Sequence, residues 1–133
     1  MITLEQGVEL VWATFNDMVG GEIYVKKIPS IKIVDIAKSV SKKAKLKIVG
    51  VRPGEKIHEQ MIGIEDCHYT YEYDEYYKIL PAIHQWDDDP IRIGNGKKVS
   101  DNFSYSSDNN TEWLSVEDLT KWIEENKHKV GQL

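Results

Sequence analysis

Arg52-Pro53-Gly54-Glu55-Lys56, with His58 two places further on, is a stretch whose side chains are of the right kinds, and close enough together, to grip a ligand. Proline fixes its own φ, and glycine lets the backbone approach a bound group. Arginine offers a planar fork that matches a phosphate, and a carboxylate can accept from sugar hydroxyls. These are the tools for holding a nucleoside diphosphate. The same residues could equally close a surface turn with an Arg–Glu ion pair across it, and exposed pairs of that kind are common and contribute little. On chemistry alone both readings stand.

Other suggestive groups reduce to simpler readings. Gly94-Asn95-Gly96-Lys97-Lys98-Val99 begins like a dinucleotide fingerprint. Valine stands where the third glycine belongs, however, and Ser100-Asp101-Asn102 is a poor opening for the helix whose N-terminus would hold a pyrophosphate, so a plain turn is expected. No lysine has a tyrosine four residues before it, so the Tyr-x-x-x-Lys pair that moves protons beside a nicotinamide is missing. Asp87-Asp88-Asp89 is followed at once by Pro90 and lacks the alternation of a calcium loop, which leaves a solvated acidic loop. Cys67-His68 with His58 imitates part of a zinc site without a spacing that selects a fourth ligand. Trp12, Trp86, Trp113 and Trp122 are too scattered for a stacking platform, and Trp12 and Trp122 fall on helix stripes where core packing is the usual role. Two Asn-x-Ser/Thr triplets, at Asn102 and Asn109, are expected by chance.

The composition narrows the classes. With 17 Lys+Arg against 22 Asp+Glu, the net charge of −5 argues against nucleic-acid binding, which would call for a basic stripe. Cys67 is the only cysteine, so no internal disulfide can form and a reducing cytoplasm fits. No apolar run approaches the ~18–20 residues of a membrane span, and no leader pattern opens the chain. At 133 residues one domain over residues 1–133 is expected.

Local pattern then places the elements. Thr3 and Gln6 form a capping-box signature ahead of Leu4, Val8, Val11, Trp12, Phe15 and Val19 at helical spacing. Gly20-Gly21 ends that helix, and Glu22–Val25 reads as a strand. Ile33, Ile36, Ala37 and Val40 predict a second helix to about Lys43. Leu46–Val51 reads as a strand and Ile57–Ile62 as a helix, which would put the Arg52–Glu55 corner at a strand end, where α/β proteins usually meet their ligands. Tyr69, Tyr71 and Tyr73 alternate with polar residues, and Tyr76–Leu80 is again strand-like. Residues 81–111, rich in Asp, Asn, Ser and Gly, predict an irregular excursion with short strands near Ile91–Ile93 and Phe103–Tyr105. Ser115 and Asp118 cap a last helix with Val116, Leu119, Trp122 and Ile123 inward, and Lys127, His128 and Lys129 suit its C-terminal dipole. The fold class is α/β, with an α+β-like character for a small domain.

Taken together, "ITLEQGVELV", "GGEIYVKKIPSIKIVDIAKSV", "GVRPGEKIHEQMI" and "YSSDNNTEWLSVEDL" resemble, in order and over nearly the whole chain, the C-terminal part of the inverting UDP-N-acetylglucosamine 4,6-dehydratases of bacterial flagellin-glycan and capsule pathways. That resemblance implies the substrate-binding domain of an extended short-chain dehydrogenase without its Rossmann half. It implies a UDP-sugar ligand, with Arg52 on or near the diphosphate, Glu55 accepting from the uridine ribose, and Lys56 and His58 following the same motif. NADP and the catalytic residues would belong to the missing half, so this chain alone would be inactive. Its partners would be that Rossmann domain, the ligand and, when severed, other copies of itself. The alternatives are a stand-alone binding or assembly module, or part of a related UDP-sugar epimerase.

Overall fold

The computed structural model describes residues 2–83 and 89–127. Helix α1 (Leu4–Asp17) leads to strand β1 (Ile23–Lys26), helix α2 (Ile33–Val40) and strand β2 (Gln60–Ile62). A 3₁₀ helix (Ile64–Tyr69) then enters strand β3 (Thr70–Glu72) and strand β4 (Tyr76–Ile79). The one-turn helix α3 (Pro90–Ile93), strands β5 (Lys97–Lys98) and β6 (Tyr105–Ser106) and helix α4 (Val116–Asn126) complete the order. This is a small mixed α/β fold with antiparallel strand pairs in two sheets, β1-β4-β3-β5 and β2-β6. His84, Trp86, Asp87, Asp88, His128 and Lys129, which figured in the sequence reading, lie outside the described residues.

The β1–β4–β3 register places the core. In the β3–β4 pair Thr70 lies opposite Ile79, Tyr71 opposite Lys78 and Glu72 opposite Tyr77. Val25, Ile62, Tyr77, Ile79 and Tyr105 then meet in one buried cluster. The Tyr77 ring sits 5.0 Å from Phe103 and 5.1 Å from Tyr105 in tilted geometry, which adds ~0.5–1.5 kcal/mol per pair beyond the area removed from water.

Lys78, on the face of β4 opposite Tyr77 and Ile79, is buried as well. Its side chain is 2% exposed, and its ammonium lies 2.6 Å from Asp17 Oδ2 at the end of α1. The same group donates to Arg92 O at 2.7 Å on α3 and lies over the Tyr73 and Tyr24 rings. Tyr24 adds a 2.6 Å hydrogen bond to the same Asp17 oxygen. Burial works against ionisation of Asp17, but the bonds from Lys78 and Tyr24 outweigh it and hold the carboxyl below the usual carboxylate range. Burial, with Asp17 second, pushes the Tyr73 phenol up to about 12, so it stays a neutral donor to Ile93 O. Three residues beyond α1's cap at Met18, Gly21 turns the chain at φ +85 against Pro81, and Glu22 accepts from the N–H groups of Val19 and Gly20.

Four expectations are corrected. On α1 the correction concerns Trp12: it lies, 65% exposed, on an outward stripe with Leu4, Val8, Val11 and Phe15, while Gly7, Leu10 and Thr14 form the half-buried side. Trp12 is therefore not a core residue. Leu46–Val51 forms no strand, because among the described residues no strand pairs with it; Ile48 is 96% exposed. In place of a helix over Ile57–Ile62, β2 pairs with β6 and buries Ile62 completely, a tertiary pairing that overrides the local pattern. Ile91–Ile93 is helical, since Asp89 accepts from the N–H groups of Ile91 and Arg92 and Pro90 stands at the first helical position. The final helix is as read, with the Ser115–Asp118 capping box formed, Leu119 buried and α2 packed against it.

Removing one partner of a buried ion pair leaves a charge uncompensated, and Asp17 is itself half exposed. Asp17→Ala should therefore lower stability in urea unfolding by ~2–3 kcal/mol, toward the low end for buried pairs, and Lys78→Met by less. The contribution of Asp17, whose folded pKa is depressed, is fully present above about pH 4 and declines as pH falls through the folded value. The stability gap between wild type and Asp17→Ala should accordingly narrow on acidification. The exposed face of α1 predicts self-association of the isolated chain, seen by analytical ultracentrifugation and suppressed by Trp12→Glu with Phe15→Glu. A monomer at high concentration would contradict it.

Candidate functional site

Arg52, Pro53, Gly54 and Glu55 close a type II turn. The Glu55 N–H donates to Arg52 O at 3.0 Å, and Gly54 takes φ +82, the left-handed value this turn requires at its third position. The Glu55 carboxylate reaches back, and its Oε2 accepts from the Arg52 N–H at 2.7 Å. In place of an Arg–Glu ion pair the turn carries a carboxylate-to-backbone bond. Among the described residues neither Arg52 nor Lys56 has an ion-pair partner, and both are exposed. The turn holds two opposite charges apart, with Glu55 Oε1 open to a donor.

Downstream, the chain joins the small β2–β6 sheet. The Glu59 N–H donates to Ser107 Oγ at 3.0 Å, and the Ser107 N–H returns a 2.8 Å bond to Glu59 O. His58, exposed one residue earlier, lies near Asp108. The Ser106 hydroxyl donates to the Asp108 carboxylate; this bond first, and the charge of His58 after it, hold Asp108 below the usual carboxylate range.

Beside this ladder lies a groove of about 240 Å³ lined by apolar residues, among them Ile28, Ile36, Met61 and Tyr105, and by the polar Ser30, Glu59, Ser107 and Asn110. Its walls are fixed from within. Tyr105 Oη accepts from the Ile28 N–H at 2.8 Å and donates to Ile28 O at 2.9 Å. Asn110 Nδ2 donates to Ile28 O and to Ser30 Oγ. Reasoning from single motifs missed this groove because its three sides, residues 28–36, 59–61 and 105–110, are far apart in sequence and are joined by the β2–β6 pairing and by the bonds of Tyr105 and Asn110 to Ile28 and Ser30.

The turn reading of Gly94–Gly96 agrees with the geometry. Gly94 ends α3, the Gly96 N–H bonds back to Ile93 O, and the two-residue strand β5 follows instead of a helix, so these residues do not fit a dinucleotide pyrophosphate. Cys67 is buried with its thiol against Asp101 O, and no group of three or more His, Cys, Asp and Glu that could hold a metal is found among the described residues. No helix among them is long and apolar enough to cross a membrane.

The model of the polysaccharide biosynthesis protein family matches residues 1–81. The chain belongs to that family. It is 47% identical over 127 residues to a UDP-N-acetylglucosamine 4,6-dehydratase (inverting) of Campylobacter jejuni serotype O:2, covering 92% of this chain and 38% of the relative. A protein of the same name from serotype O:23/36 is 46% identical over 123 residues, 89% of this chain and 37% of the relative. A UDP-glucose 4-epimerase of Rickettsia akari is 29% identical over 127 residues, again 37% of its length. Among solved structures, the X-ray structure of Pen from Bacillus thuringiensis superimposes with TM-score 0.73 at 24% identity over 96% of this chain and 37% of that one. The fold is thus shared, and the chain spans little over a third of the length of these proteins.

Gly54→Ala forces a Cβ into the left-handed region, which should cost about 1 kcal/mol of stability. Its specific signature is the amide of Arg52, which should exchange several-fold faster with solvent once the turn no longer holds Glu55 in place; unchanged protection at Arg52 would show that the turn does not depend on glycine.

Proposed function

We propose that this chain is the UDP-sugar-binding, C-terminal domain of a nucleotide-sugar 4,6-dehydratase serving bacterial polysaccharide or flagellin-glycan synthesis in the cytoplasm. The observation that carries this reading is the preformed Arg52–Glu55 turn, which presents an unpaired guanidinium and a carboxylate with one oxygen open from a single rigid corner. Arg52 takes the diphosphate through paired N–H donors, Glu55 accepts from a ribose hydroxyl, and Lys56 and His58 extend the positive edge toward the sugar nucleotide. Identity of 47% to the dehydratase against 29% to the epimerase favours the first over the second.

The work of this chain is binding and orientation. Holding a substrate by its nucleotide end sets the position of the sugar at the reacting groups, which supplies rate through lost freedom of motion and not through bond breaking. NADP belongs to a Rossmann half outside this chain, since the glycine segment here does not fit it. The exposed face of α1 is where that half packs, and copies of the chain cover it when the half is absent.

The isolated chain should give no product from UDP-N-acetylglucosamine with NADP; turnover above blank would refute the assignment of chemistry to the other half. In the full-length enzyme Arg52→Ala should weaken UDP binding by ~1.5–3 kcal/mol, the scale of a hydrogen bond to a charged group, with thermal stability preserved. Calorimetry with unchanged UDP affinity in a folded variant would return Arg52 to a structural role.

A further inference from the structure

Charge is spread unevenly along this chain, and we infer that the stretch from Lys38 to Val51 is a docking surface for a bilayer of anionic lipids. Between Asp35 and Glu55 there is no acidic residue, whereas Lys38, Lys42, Lys43, Lys45, Lys47 and Arg52 all fall there. Six of the chain's 17 basic residues and none of its 22 acidic ones thus lie in one segment, so a chain of net charge −5 carries a strongly positive run. Lys42, Lys43, Lys45 and Lys47 are exposed. Of the five lysines only Lys38 is in an ion pair among the described residues, with Asp35 at 3.6 Å.

Aliphatic groups lie among these charges. Val40, Leu46, Ile48 and Val49 are all exposed. Lys43, Lys45 and Lys47 alternate with Ala44, Leu46 and Ile48, an order that in an extended chain puts ammonium groups on one side and aliphatic groups on the other. Laid on a bilayer, the aliphatic side enters the boundary between headgroups and acyl chains, and the lysine stems reach back toward the phosphates. The backbone limits the depth. Among the described residues the main chain of residues 45–51 makes no hydrogen bond, and open peptide groups need water, so the stretch stays in the hydrated headgroup layer.

The residue types favour this partner over other polyanions. Lysine is a hydrated point charge on a long stem, suited to a diffuse layer of phosphates, where arginine would be the choice for a two-pronged grip on a single group. A nucleic acid would leave the aliphatic groups in water, and no Phe, Trp or Tyr lies between Tyr24 and Tyr69 to stack on its bases.

The test is flotation of the chain with vesicles of phosphatidylcholine alone and of phosphatidylcholine mixed with phosphatidylglycerol, over a range of salt. Trp12→Glu with Phe15→Glu serves as the background, so that the apolar face of α1 contributes nothing, and circular dichroism checks the folding of each variant. The mixed vesicles should bind the chain about tenfold or more tightly than the neutral ones, and added salt should weaken that binding steeply. Lys42→Glu, Lys43→Glu, Lys45→Glu and Lys47→Glu together should lower the affinity about a hundredfold or more, at about fivefold per lysine, while the same four changed to Arg should stay within about threefold of wild type. Leu46→Asn with Ile48→Asn should weaken binding about tenfold and keep its salt dependence. Equal binding to the two kinds of vesicle, no binding to either, or a glutamate variant as tight as wild type would overturn the assignment. An asparagine variant as tight as wild type, or a short DNA duplex or polyglutamate bound as tightly as the mixed vesicles, would make this a general polyanion site and overturn the lipid assignment too. All of these outcomes leave the reading of the Arg52–Glu55 turn untouched, since that turn is tested by UDP.

Discussion

An ammonium group out of water organises this domain. Lys78 sits mid-strand in β4, where an apolar side chain would be the simplest choice, and its charge is met by Asp17 from α1, a carbonyl from α3 and two tyrosine rings. Taking a lysine out of water is costly by several kcal/mol, so each of these partners is held to its place by the same charge. The result fixes the C-terminal end of α1 and the N-terminal end of β1 against the sheet, and with them the strand that leads to Ile28. Arg92 repeats the device nearby, its guanidinium set between Asp89 and Glu22. These pairs specify geometry more than they add stability, because replacement by well-packed apolar groups would be close to neutral.

The candidate site is built the opposite way. Nothing in the turn from Arg52 to Glu55 is buried, and its shape comes from local covalent constraint: a fixed proline φ, a glycine in the left-handed region and a carboxylate folded back on the main chain. The groove, by contrast, is assembled from distant parts, with Tyr105 and Asn110 reaching over 70 positions to Ile28. The turn is thus set by local chain geometry and the groove by tertiary packing.

That division also explains what could be read from the sequence. Elements finished by their own residues were legible: the capping boxes at Thr3 and Ser115 and the turn itself, although α1 stops at Asp17 with Met18 as its cap, ahead of the glycines read as its end. Elements defined by a partner were not. β2 exists because β6 lies beside it, and Leu46–Val51, equally strand-like in composition, stays unpaired because no strand lies beside it. Asp89-Pro90 is a readable helix start, but the isoleucines of Ile91–Ile93 read locally as a short strand. The period of α1 identified a helix correctly, but periodicity marks an apolar face without saying what covers it; here Leu10 and Thr14 turn inward and the stripe turns out.

Both ends of α1 are tied off by contacts independent of that stripe. Thr3 and Gln6 close the first turn, Met18 caps the last, and Glu22 gathers the two N–H groups that follow. The helix therefore keeps its shape with its apolar side in water, and whatever docks there meets a rigid surface and not a segment that must first order. Association on that face is a rigid-body encounter: its affinity is not diminished by helix formation, and its rate is governed by orientation and diffusion, without a folding step.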